Sequence, residues 1–145
     1  FAGYASCIAH AYAEGIGVKK DPAQAMVFLQ LAAEHDPDAQ ERLAGRIESG
    51  DGVQKDPQKA EGWYRLAFSG FLERAERGDA DAMAKVVARY AIGRGVARDP
   101  AAARVWLERF KEFQDPAEHA ALDERLNSVL RGDKPNDTQS APAKK

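Results

Sequence analysis

The sequence has little of what would mark a disulfide-rich protein, a β protein or a nucleic-acid binder. A single cysteine, Cys7, excludes an internal disulfide and a zinc site built from several thiolates. Ile, Val and Thr together fill 13 of 145 positions, so strand-forming residues are scarce. The net charge is −2, from 21 basic and 23 acidic residues. It therefore lacks the basic excess that displaces counterions from phosphates.

The start of the chain lacks an apolar run that could span a membrane. Its longest uncharged stretch, residues 1–13, falls short of the ~18 apolar residues that cross a bilayer. No signal-peptide pattern with a basic segment, an apolar core and a small-residue cleavage site is present. The chain starts with Phe1 rather than Met. We therefore expect that it was processed or cut from a longer protein.

Alanine and Asp-Pro steps are abundant, and both favour helices. Alanine, the best helix former, fills 28 of 145 positions. Asp-Pro predicts a helix start, because the aspartate accepts from free backbone N–H groups and proline suits the first helical position. Asp79 can cap one more helix, and Glu118 could close a capping box with Asp115. The aspartates of the five Asp-Pro steps are Asp21, Asp36, Asp56, Asp99 and Asp115.

Three Gly-x-Gly-Val turns, at residues 15–18, 50–53 and 93–96, stand at equal intervals before an Asp-Pro step. Their first glycine suits a helix C-terminus and their second allows a tight reversal. After each Asp-Pro come an alanine and an aromatic or apolar pair: Ala25 with Phe28-Leu29, Ala60 with Trp63-Tyr64, and Ala103 with Trp106-Leu107. Before each turn, two residues four apart should face the core: Ile8 and Tyr12, Leu43 and Ile47, and Val86 and Tyr90.

The units recur after 35 residues and then after 43, so we place an eight-residue insertion at Phe71–Gly78. Internal periods of this size indicate a solenoid of helix pairs. We predict helices near 2–14, 22–35, 37–49, 57–69 with an extension to 77, 80–92, 100–114 and 116–131. The last carries Leu122, Leu126 and Leu130 on one stripe and should cap the array. The predicted organisation is repeat 1 at 1–36, repeat 2 at 37–78, repeat 3 at 79–115, a capping helix at 116–131 and a disordered tail at 132–145.

These residues resemble the Sel-one-like repeat (SLR) family, a relative of the tetratricopeptide repeat. The family pattern of Leu-Gly-x-x-Tyr, Gly-x-Gly-Val, Asp and Lys-Ala-x-x-Trp-Tyr is nearly complete at residues 50–64. The resemblance covers about residues 3–115. It departs where Leu-Gly becomes Ile8-Ala9, Leu43-Ala44 and Val86-Val87, and at the insertion. It implies an all-α, right-handed solenoid of antiparallel helix pairs with a C-terminal capping helix.

No constellation for catalysis is apparent. Cys7 and His10 could share a helix face, and a thiolate–imidazole pair is a nucleophile motif in principle. We favour a small buried cysteine beside an exposed histidine, because cysteine is among the most buried residue types. The Gly-x-Gly turns lack the Gly-Lys-Ser/Thr ending of a phosphate loop and follow helices. We predict no catalytic residue, no metal and no cofactor.

Helical angles locate a candidate partner surface. On the first helix of repeat 2, Glu41 and Glu48 point away from the core-facing Leu43 and Ile47. The resemblance implies that these first helices line a concave groove that binds partners. A strip of small residues and a flank of four cations lie along it. The flank also fits a solvated helix edge with Glu41 and Glu48 as local partners, and the strip could be covered by a partner or by the next helix. The predicted partner-binding residues are Glu41, Arg42, Arg46, Glu48, Ala84, Lys85, Ala88, Arg89 and Ala91.

The resemblance implies binding rather than catalysis. We expect a non-enzymatic protein–protein interaction scaffold that organises a bacterial cell-envelope complex, such as one for exopolysaccharide (alginate) secretion. The partner is expected to be another protein on the concave face, with no nucleic acid and no membrane insertion of this segment. We expect further repeats before Phe1, and a periplasmic location with outer-membrane association through that missing part. A cytoplasmic regulatory adaptor and a peptidoglycan-related ligand-binding or enzyme-like repeat protein remain alternatives.

Overall fold

The computed structural model describes residues 2–133, and no strand occurs among them. The helices pack as three successive pairs, α1–α2, α3–α4 and α5–α6, and α7 packs against α5 and α6. The predicted all-α solenoid is confirmed. Its helices are α1 (Ala2–Glu14), α2 (Pro22–Ala32), α3 (Pro37–Ser49), α4 (Pro57–Glu76), α5 (Ala80–Ile92), α6 (Pro100–Lys111) and α7 (His119–Arg131).

Four of the five Asp-Pro steps begin α-helices as predicted. Each aspartate has an extended backbone, and its carboxylate accepts from N–H groups of the first helical turn. Asp79 caps α5 in the same way. Local hydrogen bonding is therefore enough to fix where these helices start. The four capping residues are Asp21, Asp36, Asp56 and Asp99.

The fifth Asp-Pro step does not start an α-helix, and that prediction is wrong. Residues Pro116–Glu118 form a single 3₁₀ turn, and α7 begins only at His119. The Asp115 carboxylate still accepts from the N–H of Ala117 at 2.9 Å, so the aspartate caps this turn although no α-helix follows it directly. Glu118 makes no side-chain capping bond, so the expected capping box is absent. Helices α2 and α6 also end three residues earlier than predicted.

The eight inserted residues lengthen α4. The helix runs on to Glu76, because Phe68, Phe71 and Ala75 continue its apolar stripe and are buried. Gly78, with φ +94°, follows the end of the helix. Most of the insertion, Phe71 to Glu76, is therefore helical rather than a loop, as the predicted extension to residue 77 allowed.

The interior consists of two apolar clusters that meet along α4. One cluster joins α1, α2 and α3 to the first half of α4, as far as Tyr64. The other joins the second half of α4, from Ala67 onward, to α5, α6 and α7. Helix α4 thus belongs to both clusters, and its extra length gives the second one Phe71, one of the largest fully buried side chains.

The first helix does not bury the residue that the repeat pattern predicts. Ile8 is 40% exposed, whereas its equivalents Leu43 and Val86 are 1% and 0% exposed. In the later repeats these positions sit between two helix pairs, whereas α1 has no pair on its outer side among the described residues. The prediction that Ile8 faces the core is therefore wrong for this chain.

The C-terminal helix caps the array as predicted. Leu126 is buried, and Leu122 and Leu130 pack against the same cluster.

An ion pair also joins α6 to α7. Lys111 of α6 pairs with Asp123 of α7 at 2.5 Å. Hydrogen bonds to Asp123, and then to Glu108, raise the pKa of Lys111. The predicted tail at 132–145 lies outside the described residues from position 134 onward.

Candidate protein-docking surface

Two ion pairs close the seam between α3 and α5. Lys85 of α5 pairs with Asp38 of α3, and the Arg89 guanidinium donates through two nitrogens to both carboxylate oxygens of Glu41. The side chains of Arg89 and Glu41 are only 16% and 22% exposed. Lys85 also lies over the ring of Phe71, 4.8 Å from its centroid. Three predicted partner-binding residues, Glu41, Lys85 and Arg89, are thus engaged within the chain.

Glu48, another predicted site residue, accepts a hydrogen bond from within its own repeat. The hydroxyl of Tyr64 on α4 donates to a Glu48 carboxylate oxygen at 2.7 Å. Burial, and secondarily this bond, raise the pKa of Tyr64 to about 12, although the nearby Arg94 opposes the shift. The Arg94 guanidinium stacks 4.8 Å from the ring centroid of Tyr64. Glu48 therefore holds α3 against α4, while its side chain keeps an exposed edge.

The alanine strip of α5 lies beside α7. Ala91 is 2% exposed and lies in the core, while Ala84 and Ala88 are half-buried. The sequence allowed either a partner or the next helix of the array to lie over this strip. In the structure it is the next helix, α7, that lies beside it. The strip lines a cleft of about 290 Å³ together with apolar residues of three helices. Those on α7 are Leu122, Leu126 and Val129.

Arg42 and Arg46 are the predicted cations that reach an open cleft. The cleft lies between α1 and α3 and has a volume of about 820 Å³. Arg46 donates to Asp51 at 2.8 Å. Arg42 is exposed and has no ion-pair partner among residues 2–133. The lining residues are Ser6, Cys7, Ala9, His10, Leu29, Arg42, Gly45, Arg46, Ser49 and Asp51.

Cys7 and His10 line this cleft, and the expected burial of Cys7 is wrong. Helix α1 buries the face formed by Ala5, Ala9 and Ala13, whereas Cys7 is exposed. A residue two positions from Ala5 lies about 200° around the helix, which carries Cys7 to the open side. Within the described range, no cluster of three His, Cys, Asp or Glu could hold a metal.

Sequence reasoning missed Asp38 and Asp51. Asp38 and Glu41 are three apart on α3, and this spacing could have indicated a two-carboxylate face opposite Lys85 and Arg89. Asp51 sits in the glycine turn, where its reach back to Arg46 depends on the turn geometry. The Ser6 hydroxyl oxygen is buried without a hydrogen-bond partner. Nothing in the sequence signals that.

Three stacked helix pairs with repeating turns and a capping helix define an α-solenoid of the repeat-protein class. A family model described as Sel1 repeat matches residues 4–36, 37–70 and 80–112. These segments cover more than half of the sequence, so the chain belongs to the Sel1 repeat family. Proteins of this family generally act in protein–protein interaction, typically as non-enzymatic scaffolds.

Two solved structures share the fold. A Sel1 repeat protein from Oxalobacter formigenes is 26% identical with a TM-score of 0.54, over 93% of this chain and 53% of that chain. A protective antigen present in uropathogenic Escherichia coli strains, which displays an SLR fold, is 29% identical with a TM-score of 0.55. That match covers 90% of this chain and 26% of the antigen. The chain thus spans about half and about a quarter of these two proteins.

Comparison with curated protein sequences gave no match. Among the described residues, every helix is too short or too polar to cross a bilayer.

Proposed function

We propose that this chain is a protein-docking scaffold whose binding face includes the cleft between α1 and α3. One observation carries the proposal: of the two seams between successive first helices, the α3–α5 seam is bridged by its own ion pairs, while the α1–α3 cleft is open. The open cleft presents Arg42 and Arg46, and the membership of a protein-binding family supports a protein as the occupant. The proposal keeps the expected docking on the concave face, and the two arginines that line the cleft support it.

A bacterial cell-envelope complex is the proposed setting. The name of the second solved structure describes a protective antigen of a pathogen, a description that suits an exported protein. We extend this to a periplasmic location, with outer-membrane association through a part of the protein before Phe1, and to exopolysaccharide secretion, such as alginate export, as the pathway. A cytoplasmic adaptor is the competing possibility.

A further repeat before α1 is also part of the proposal. Tyr4 is 77% exposed, although its equivalents Ala39 and Ala82 are buried between helix pairs. A Cβ at Gly52 would lie 2.7 Å from the Pro22 carbonyl oxygen, because that turn presses on the pair before it. A Cβ at Gly17 would meet nothing within 4 Å. The outer face of α1 and the turn after it thus present the surface that packs against a preceding helix pair in the later repeats. Another helix pair before α1 would cover this surface.

The test is recovery of a partner from native membranes with the longer protein, tagged at its C-terminus. Wild type and the double variant Arg42→Glu with Arg46→Glu are compared. Arg65→Glu is the matched control, because Arg65 is an exposed cation on α4 that pairs with Glu61 of its own helix. We expect the double variant to lose a partner that wild type and the control retain. Equal recovery by all three would refute docking at the cleft, and recovery from the cytoplasmic fraction alone would refute the envelope setting.

A further inference from the structure

The two seams between successive first helices have the same register. Asp38 and Glu41 of α3 face Lys85 and Arg89 of α5 and form two ion pairs with them. Successive units are offset by 35 and by 43 residues. Positions 38 and 41 therefore correspond to 3 and 6 on α1, and positions 85 and 89 correspond to 42 and 46 on α3. The second pair of cations can thus be compared directly with the first.

Helix α1 supplies no carboxylate to the equivalent arginines. Gly3 stands where Asp38 would be, and Ser6 stands where Glu41 would be. The Ser6 hydroxyl oxygen is buried and has no hydrogen-bond partner. The single acidic residue of α1, Glu14, is at the far end of the helix. The α1–α3 cleft therefore has cations at the positions equivalent to Lys85 and Arg89. It has no carboxylate at the positions equivalent to Asp38 and Glu41.

We propose that this cleft binds an acidic peptide segment that presents two carboxylates about three residues apart to Arg42 and Arg46. The proposal deepens the docking function proposed above and rests on it. The chain itself supplies the template, because Asp38 and Glu41 satisfy the equivalent cations of α5 with this spacing. Three residues of helix rise about 4.5 Å, which carries two carboxylates past two cations one turn apart.

The chemistry of the cleft favours a peptide carboxylate. Arginine offers a planar fork of donors that suits a carboxylate, and a partly enclosed site strengthens such charge-assisted bonds. Asp51 neutralises part of Arg46, but it is the more exposed member of that pair, at 57%. It is therefore a competitor that a ligand can displace. No Phe, Tyr or Trp is among the residues that line the cleft, so it lacks the broad apolar ring on which a sugar commonly stacks.

Fluorescence anisotropy with a defined probe tests the proposal. The probe is a labelled helix-forming peptide with two glutamates three residues apart, and the control peptide has glutamines at those positions. We expect salt-sensitive binding of the acidic peptide alone. The variant Arg42→Gln with Arg46→Gln should weaken it by about tenfold or more, and the matched control Arg65→Gln should not. Equal binding to the double variant, or no binding by wild type, would overturn the proposal.

Two further variants test whether the peptide carboxylates occupy the place that Asp38 and Glu41 occupy at the other seam. Ser6→Glu should supply the missing anion in cis, abolish peptide binding and leave the thermal midpoint unchanged or higher. Asp51→Asn should tighten binding by roughly two- to fivefold, because it removes the competing carboxylate. Circular dichroism confirms folding of each variant. If Ser6→Glu folds and still binds the peptide as wild type does, the carboxylates do not occupy the proposed place.

Cys7 gives a readout of position, because it is the single cysteine and lines the cleft. A bound peptide should slow its reaction with a thiol reagent. If an acidic oligogalacturonate slows the reaction of Cys7 and the peptide does not, the proposed peptide ligand is wrong and the cleft binds a saccharide. If the peptide fails while partner recovery from membranes still depends on Arg42 and Arg46, this inference fails and the docking function stands.

Discussion

The two seams of this solenoid differ in how their charges are satisfied. Between α3 and α5, four side chains form two ion pairs and bind the second repeat to the third. Between α1 and α3, the arginines at the equivalent positions border an open cleft. Under the docking function proposed above, the same register serves cohesion at one seam and recognition at the next. The switch lies in two residues, Gly3 and Ser6, that carry no charge.

The largest expected effect on stability distinguishes the turn at Gly95, which packs against the preceding helix pair, from the turn at Gly17, which has open space around it. Gly95→Ala should lower the free energy of unfolding by about 3 kcal/mol or more, because its Cβ, at positive φ, would collide with the backbone of Tyr64. Gly17→Ala should cost about 1 kcal/mol, since only its positive φ is strained. Urea unfolding of the two variants measures both losses.

Equal losses would mean that the third turn does not press on the preceding pair. The same two substitutions in a chain that carries a further repeat before α1 would sharpen the comparison. If a further repeat packs before α1, Gly17→Ala should become nearly as costly there as Gly95→Ala.

The next effect concerns Tyr64 and Glu48, which occupy positions held by leucine and alanine in the other two repeats. The pKa of Tyr64 is raised from 10 to about 12 in the folded chain. Folding thus favours the protonated phenol, so this contribution is fully present below pH 10 and is lost as the pH rises to 12. The loss is roughly 2 to 3 kcal/mol at most.

Unfolding of wild type and Tyr64→Phe between pH 8 and 12 measures this contribution. Their difference in stability should shrink above pH 10. A difference that does not change with pH would show that Tyr64 ionises as freely in the folded chain as in the unfolded one.

A smaller loss of stability is expected on removing one cation from either seam, and the loss should differ between Arg89 and Arg46. Arg89→Ala leaves Glu41 half-buried without its partner, so we expect a loss of about 1 to 2 kcal/mol. Arg46→Ala breaks a more exposed pair with Asp51 and should cost about 0.5 kcal/mol. Chemical denaturation of both variants, with Glu41→Ala to complete a double-mutant cycle, gives the comparison. A greater loss for Arg46→Ala would reverse the assignment of the two seams.

The smallest effect on stability is expected at Arg42. Arg42→Gln should change the free energy of unfolding by less than about 0.5 kcal/mol, because Arg42 is exposed and forms no ion pair with residues 2–133. Thermal melts followed by circular dichroism measure it. A large loss would make Arg42 a structural residue and would remove the main support for a binding role at the cleft.

The sequence by itself determined the features that depend on residues a few positions apart. The helix starts at Asp21, Asp36, Asp56 and Asp99 were predictable, because a capping carboxylate bonds to its own first turn. The glycine turns, the helical insertion and the stripe of α7 follow from equally local patterns. The repeat registers, read from the same patterns, were enough for the solenoid fold.

The tertiary structure decided which predicted site residues remain accessible. Arg89 and Arg46 look alike in sequence, but Arg89 is held by a glutamate 48 positions away, whereas Arg46 borders a cleft. Ala91 is buried by helices that come later in the chain, and Ile8 is exposed because no described helix lies outside α1. Accessibility and charge pairing depend on neighbours brought together only by folding. The local sequence patterns that set the helices therefore could not determine the site.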